Sequence, residues 1–461
     1  MTPPTPIIIV ALNARYSHSS YAALSLRANL GHLADLCEVI ETDTNVTPFQ
    51  LAAWLTERSP QIIGFVTYLW NVELIKQTAQ ILHQVLPHAR IVIGGPEVTT
   101  AALPLWRGLA HHLITGEGES AFRHLCDKIL RNEYPESPTD TPELIDGGVE
   151  DLPNLKLPYH LYNEHDLAHR TIYVESSRGC PFSCAYCTSR RTHMRLFDLP
   201  RLTAEFALLL DRGVREFRFL DRSFNADEQH ACAVLDIFLS HSLPDLNIHL
   251  EIMPRRFGSQ LRQTLSAFPP GALHLEVGIQ TLNPDVAKAI GRDTDLNTLF
   301  DALDFLINQA KATVHADLIF GLPGEDETSF AAGFDRLVHT FDPPELQVNL
   351  LKGLPGTPII QPEYSGGLVF NPNPPYELLF NNVLDFTTIT RLQNFARCWE
   401  LIHNRARFGE QAREVWTTPP GSPFARYMAL SQQIFNTEGR MHAIGHKRLQ
   451  EHLDTFLQQI K

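Results

Sequence analysis

Short apolar runs bounded by turn residues recur along the first ~135 positions. PIIIVALN (6–13) has the unbroken apolar character of a strand buried on both faces. Helical spacing follows over 21–33, then a weaker strand over 37–42. QIIGFVTY (61–68) and ARIVIGGP (89–96) predict strong strands separated by a helix over 72–85, and HHLITGEGE (111–119) predicts a fifth strand before a helix over 120–131. Strands alternating with helices in this way predict an open, doubly wound parallel sheet, which binds ligands at the C-terminal ends of its strands.

Residues 133–160 are rich in proline, acid and glycine, the composition of a linker. A second series then begins. TIYVESS (171–177), EFRFLD (216–221), IHLEIMP (248–254), ALHLEVGIQT (272–281), VHADLIFGLP (314–323) and ELQVNLLKGLP (345–355) read as six strands, with helical stretches such as 202–212 and 299–309 between most of them. Six repeats are two short of a full (β/α) barrel and predict an open or partial one, with its chemistry at the strand C-termini. Beyond 358 a proline- and asparagine-rich stretch leads into helical patterns over 376–407 and 428–460. The expected organisation is therefore a sheet domain at 1–135, a linker at 136–170, a partial barrel at 171–357 and a helical domain at 358–461.

Composition narrows the function. The 461 residues carry 38 Lys and Arg against 52 Asp and Glu, a formal charge of −14. That surplus argues against a general nucleic-acid or anionic-membrane binder. No apolar run reaches the ~18 residues of a membrane span, and the short run at 6–13 lacks a basic leader, so it reads as a strand rather than a signal peptide. Seven cysteines, an odd number, make no disulfide framework in a chain of this length. Cys37, Cys126, Cys232 and Cys398 are scattered and read as small buried hydrophobes.

Cys180, Cys184 and Cys187 stand apart. They fall within SSRGCPFSCAYC, a C-x3-C-x2-C spacing directly after a predicted strand. Clustered thiols point to a metal site and a reducing, cytoplasmic setting. Four cysteines fill every iron of a cubane cluster, so three leave one iron open for a substrate or cosubstrate. The alternative is a structural zinc completed by a histidine such as His193, although zinc sites commonly pair two such halves and the chain has one.

At these residues the chain resembles the radical S-adenosylmethionine (SAM) superfamily, with Tyr186 at the aromatic position of the cysteine loop. The likeness runs over roughly 170–355 and implies a [4Fe-4S] cluster on the three cysteines, with SAM beside it. FLDRSFN stands where the family carries a Gly-Gly-Glu-like motif for the SAM amino group, and places Asp221 there. GIQT resembles the motif near the ribose and suggests Gln280. Arg292 stands where relatives hold the SAM carboxylate, and DLIFGLPGE resembles the adenine-packing motif through Ile319 and Gly321. SAM's amino-acid end needs an acid and a base, and its adenine needs small residues. Each residue alone also has a structural explanation: Asp221 as a helix cap, the glycine–proline run as a turn, Gln280 as a partner for buried backbone.

The N-terminal unit lacks a G-x-G-x-x-G turn, which weakens a dinucleotide reading. Gly94 and Gly95 end its fourth strand, Gly116 and Gly118 follow its fifth, and Thr67 follows its third. Glycines there either admit a large flat ligand or simply form tight turns. Ahead of a radical SAM domain this pattern, with ARYSHSS near the start, resembles the cobalamin (B12)-binding domain of class B radical SAM enzymes, in a subfamily with its own C-terminal helical domain. The chain has no Asp-x-His-x-x-Gly loop, and His18 matches no such motif, so the resemblance implies a cobalt without a histidine ligand.

The expected function is reductive SAM cleavage with cobalamin-dependent methyl transfer to an unactivated carbon of a small-molecule or unknown substrate. The resemblance also implies an electron donor such as flavodoxin or ferredoxin. A radical SAM cyclase or oxidoreductase without methyl transfer, and a SAM- or cobalamin-responsive binding protein with a structural cluster, are the alternatives. Methylthiotransferases are set aside, because the first domain holds only Cys37 and Cys126 and the tail reads helical. Arg391, Arg397, His403, Arg405 and Arg407, with Trp399 among them, form either a solvated basic face or a lid with anion-binding arginines.

Overall fold

The computed structural model describes the chain outside residues 1–4, 135–140, 242, 244, 256, 293–294, 342–344 and 365–366. The first residues assigned to the expected linker, 136–140, thus lie outside the described residues. Two compact units result: Met1–Ser177 with Arg195–Leu220 and Asn373–Pro375, and Arg178–Met194 with Asp221–Pro372 and Tyr376–Lys461.

In the first unit, β1 (Ile7–Asn13), β2 (Cys37–Asp43), β3 (Ile62–Val66), β4 (Arg90–Gly94), β5 (His112–Thr115) and β6 (Glu143–Asp146) form one parallel sheet in the order β2-β1-β3-β4-β5-β6. Every residue of β1 and β3 is buried. The cause is the period of two along a strand. Ile8, Val10 and Leu12 enter one apolar cluster with Leu51, Leu55 and Ile75. Ile7, Ile9 and Ala11 enter another, with Leu33, Phe122 and Leu125. Each such aliphatic side chain contributes roughly 1.5–3 kcal/mol by leaving water.

The sheet departs from the sequence reading at two places. It takes a sixth strand, β6, from the stretch whose composition reads as a linker; ELID is an edge strand with three of its four residues exposed, so it lacks a buried-strand pattern. A helix at Pro48–Arg58, which the apolar pattern passes over, is opened by a reciprocal Thr47–Gln50 capping box with Pro48 in its first turn. The same unit contains β7 (Ile172–Val174) paired in parallel with β8 (Glu216–Phe219), with the helix Leu199–Asp211 between them in sequence.

In the second unit, β9 (Asn247–Ile252), β10 (Leu273–Gln280), β11 (Thr313–Phe320) and β12 (Glu345–Leu350) pair in parallel, each with the next. One face is apolar, through Leu250, Leu275, Val277, Val314 and Leu318, all buried. The other carries His249, Glu251, His274, Glu276, His315, Asp317 and Glu345 at alternate positions. All six strands expected of the second series are present as β7–β12, and the α/β class stands.

The tail is helical, through Phe386–Trp399, Glu410–Thr417, Pro423–Glu438 and His446–Ile460. The continuous helix expected over 376–407 starts only at Phe386, where Asp385 caps it, and Gly439 in a left-handed conformation separates the last two helices. Trp399 is fully buried, edge-on to Phe334 at 4.8 Å and to Tyr427 at 4.7 Å. Arg391 pairs with Glu327 at 2.7 Å, Arg405 with Glu400 at 3.0 Å, and Arg397 donates to the Met441 carbonyl at 3.3 Å. Arg391, Arg397 and Arg405 therefore have intramolecular partners and His403 stacks on Trp399 with centroids 4.1 Å apart, which counts against an anion-binding lid. Among the described residues, no helix is long and apolar enough to cross a membrane.

Candidate active site and cofactor sites

The cysteine loop is fixed by its own backbone. Gly179 has φ +95°, and a Cβ there would lie 2.3 Å from the His193 carbonyl oxygen. The Cys180 N–H donates to Thr192 Oγ1 at 2.8 Å, and the Thr192 N–H returns a bond to the Cys180 carbonyl at 3.0 Å. The Ala185 N–H donates to the Ile290 carbonyl at 2.9 Å. Gly291 is required nearby, since a Cβ would stand 2.5 Å from the Ser183 carbonyl oxygen. So held, Cys180, Cys184 and Cys187, all free thiols, line one cavity of about 170 Å³. His193, the alternative fourth ligand, is exposed and is not among the cavity-lining residues.

Sulfur has polar company here. Cys180 Sγ lies 3.4 Å from Ser223 Oγ. Arg292 donates to Cys184 Sγ at 3.5 Å and to the Gly278 carbonyl. Burial pushes the Cys187 thiol up, and the neighbouring sulfurs add to this, while a Ser189 backbone bond and Arg222 act in the opposite direction. A nearby guanidinium favours thiolate over thiol, so this donor set suits a metal–sulfur group.

The cavity brings together half of the residues expected around SAM. Tyr186, Gln280 and Arg292 line it with the three cysteines. Gln280 gives the clearest sign of a ligand. Its backbone sits at φ +71°, unusual for a non-glycine residue, and its buried Oε1 has no hydrogen-bond partner among the described residues. Asp221, Ile319 and Gly321 are not among the cavity-lining residues. Asp221 is buried, with 1 % exposure. Gly321 has a packing reason to be glycine, because a Cβ would meet Leu378 at 2.6 Å. The sequence reading missed Ser223, Met253, Glu276 and Asp317, which also line the cavity. The signal for the last two was the alternation of polar positions along HLEVGIQ and VHADLIF. Asn225 holds Met253 by both backbone groups, accepting from its N–H at 2.7 Å and donating to its carbonyl at 2.8 Å.

In the first unit, the chain leaves β1 for β2 on one side and takes β3 on the other, so the switch point lies between the C-terminal ends of β1 and β3. Asn71 clamps these ends, donating to the Leu12 carbonyl at 3.1 Å and to the Val66 carbonyl at 3.0 Å. Beside it Trp70, half exposed and missed by the sequence reading, stacks on Tyr68 with centroids 4.5 Å apart and planes 6° from parallel. Thr67 is fully buried, and its Oγ1 has no hydrogen-bond partner among the described residues.

The glycines divide. At Gly95 (φ +112°) a Cβ would lie 2.4 Å from the Thr67 carbonyl oxygen, and at Gly116 (φ +70°) 2.7 Å from that of Gly148. Both are needed by neighbouring backbone. A Cβ at Gly94 or Gly118 meets nothing closer than 3.7 Å, so these two are free to face a ligand. The acids of GEGE are occupied as well: Glu117 pairs with Arg195, and Glu119 accepts from Ser25 at 2.9 Å. His18 Nδ1 lies 2.7 Å from the Tyr173 hydroxyl.

The sheet with its loops at the switch point and the cavity walled by three thiols fall in two recognisable domains, a B12-binding domain and a radical SAM domain. Residues 7–126 match the B12 binding domain, 174–337 the radical SAM superfamily, and 364–461 a protein of unknown function (DUF4080). The cofactor set of these domains is cobalamin for the first, and a [4Fe-4S] cluster with SAM for the second. The chain is 24% identical over 351 residues to 2-(S-pantetheinyl)-carbapenam-3-carboxylate methyltransferase of Streptantibioticus cattleyicolor, a match covering 69% of this chain and 50% of that protein. It is 24% identical over 342 residues to the cobalamin-dependent radical SAM methyltransferase TokK of Streptomyces tokunonensis, covering 66% and 48%. The chain thus spans about half the length of these two relatives. Among solved structures, the cobalamin-dependent SAM radical enzyme OxsB with aqua-cobalamin superposes over 99% of this chain and 79% of its own, with a TM-score of 0.70 at 14% identity, a likeness of fold.

Proposed function

We propose that this protein is a radical SAM methyltransferase that cleaves SAM reductively and delivers a methyl group through cobalamin to an unactivated carbon of a small molecule. The observation that carries the proposal is the cavity itself: three free thiols share it with Arg292 and with the strained, unsatisfied Gln280. When bound, the cluster supplies the electron that splits SAM, and cobalamin serves as the methyl carrier.

In this reading Cys180, Cys184 and Cys187 hold the cluster and leave one iron open. Arg292 presents positive charge to the thiolates and to the SAM carboxylate, Tyr186 walls the cavity, and Gln280 supplies a polar contact to the nucleoside. Asp221, Ile319 and Gly321 shape the SAM site from behind the lining. Thr67, Gly94 and Gly118 face the corrinoid beside the Tyr68–Trp70 stack, while Gly95 and Gly116 hold the loops that admit it. The electron donor is a small one-electron carrier of the flavodoxin or ferredoxin kind, and the setting is the reducing cytoplasm.

Support for methyl transfer comes from the names of the two curated relatives. OxsB is described only as a radical enzyme, which favours, as a second reading, radical chemistry on the same scaffold without methyl transfer. The test is anaerobic reconstitution followed by incubation with methyl-deuterated SAM and a strong reductant. Methionine and 5′-deoxyadenosine from one SAM, with S-adenosylhomocysteine and label on the bound corrinoid from another, support the proposal. SAM cleavage without corrinoid labelling leaves the second reading, and no cleavage by cluster-loaded protein leaves a binding protein.

A further inference from the structure

The polar face of β10–β12 holds a group that the proposed chemistry does not use. His274, His315 and Glu345 come from three adjacent strands, and one donor atom of each lies within 4.8 Å of the other two. His315 Nδ1 is 3.5 Å from Glu345 Oε2, and His274 Nε2 is 3.9 Å from the same oxygen. We infer that these three side chains bind a divalent cation of the zinc class, with a fourth position left for water or a substrate oxygen. The site stands apart from the cluster and cobalamin readings.

Three observations point this way. First, three adjacent strands turn donors toward one point, with His315 Nδ1 and His274 Nε2 both facing Glu345 Oε2. Second, the distances fit the metal. Donors about 2.1 Å from a tetrahedral zinc lie about 3.4 Å apart, close to the 3.5 and 3.9 Å found here. Third, Gln347 Oε1 and Asp317 Oδ1 stand 2.9 and 3.4 Å from the far nitrogen of the His315 ring, where a histidine ligand has its outer partner. Asp317 also lines the cysteine cavity, so the ion would sit on the floor beneath it.

The test uses cluster-reconstituted full-length protein, so that zinc has no access to free cavity thiols. After chelation, the protein is given excess ZnCl2 anaerobically, desalted and analysed for metals. The expected result is about one retained zinc per chain, falling at least about tenfold in His274→Ala and Glu345→Gln. His249→Ala, on the same face outside the three ligands, should keep its zinc. If the variants do not fold, wild-type protein decides through its melting temperature, which rises with added zinc if the site exists. No retained zinc and no thermal shift in the wild type would overturn the inference. So would equal zinc in wild type and folded His274→Ala.

Discussion

The N-terminal sheet and the β9–β12 series are both parallel, with helical segments between successive strands, yet their faces differ. In β1 every side chain is apolar up to Asn13, and both faces enter cores. In β10 and β11 one face enters a core and the other carries histidines and carboxylates. The difference shows where each region can do chemistry. Strands buried on both faces, as β1 and β3 are, leave only their end loops for a ligand, here the switch point at Thr67–Asn71. A strand series with one polar face places donors along its length, down into a cavity.

A buried charge should break the comparison most sharply. Ile63→Asp puts a carboxylate into a fully buried position of β3, and is expected to destabilise the first unit by more than about 4 kcal/mol, visible as loss of its cooperative thermal transition. Glu276→Gln, on the polar face of β10, should stay within about 1 kcal/mol of wild type in the same melt. Equal losses would mean that the two faces are not different in kind.

The glycines sharpen the contrast at the loops. Gly95→Ala forces a Cβ against the Thr67 backbone at positive φ and should lower stability by about 1–3 kcal/mol. Gly94→Ala should change it by less than about 1 kcal/mol. Gly94→Leu should fold and yet load less corrinoid, which visible absorbance of the purified protein reads directly. On the cavity side, Asn225→Ala leaves both backbone groups of Met253 without their partners, and about 2 kcal/mol of stability should be lost in denaturant titration.

The smallest effect depends on pH. Burial raises the Glu325 carboxyl from 4.5 to about 7, against a hydrogen bond from Thr281. A folded value above the unfolded one means that the folded chain holds an extra proton between them. The contribution of this group to stability is therefore full below about pH 4.5 and is lost as pH rises through about 7. Glu325→Gln should flatten the pH dependence of the melting temperature in that window. An unchanged slope would show that Glu325 does not titrate there.

Strands β1, β3 and β4 were legible because burial on two faces leaves an unbroken apolar run, while the mostly half-buried β2 (CEVIETD) gave only a weak signal. β6 was not, since an edge strand of ELID composition has no such run. The cysteine cluster stood out by its spacing, whereas Gln280 and Arg292 entered only through the resemblance to radical SAM enzymes, and Arg292 lies beyond the helix Pro284–Ala289 that follows β10. The left-handed backbone at Gln280 could not be read, because it follows from a register shift between Gly278 and Gln280. Nor could the roles of the glycines be separated. GGPE and GEGE look alike, yet Gly95 and Gly116 answer to backbone only 2.4 and 2.7 Å from a would-be Cβ, and Gly94 does not. Glu276 and Asp317 were visible as alternating polar residues, but their convergence on the cysteines depends on strand order.

Metal analysis of one sample tests the central claim most directly. Protein made with cobalamin supplied and reconstituted anaerobically should contain about four irons and about one cobalt per chain, the iron vanishing in the Cys180→Ala, Cys184→Ala, Cys187→Ala triple variant while the cobalt remains. Iron without cobalt, or cobalt lost together with the iron, would contradict the assignment of the two cofactors to separate regions.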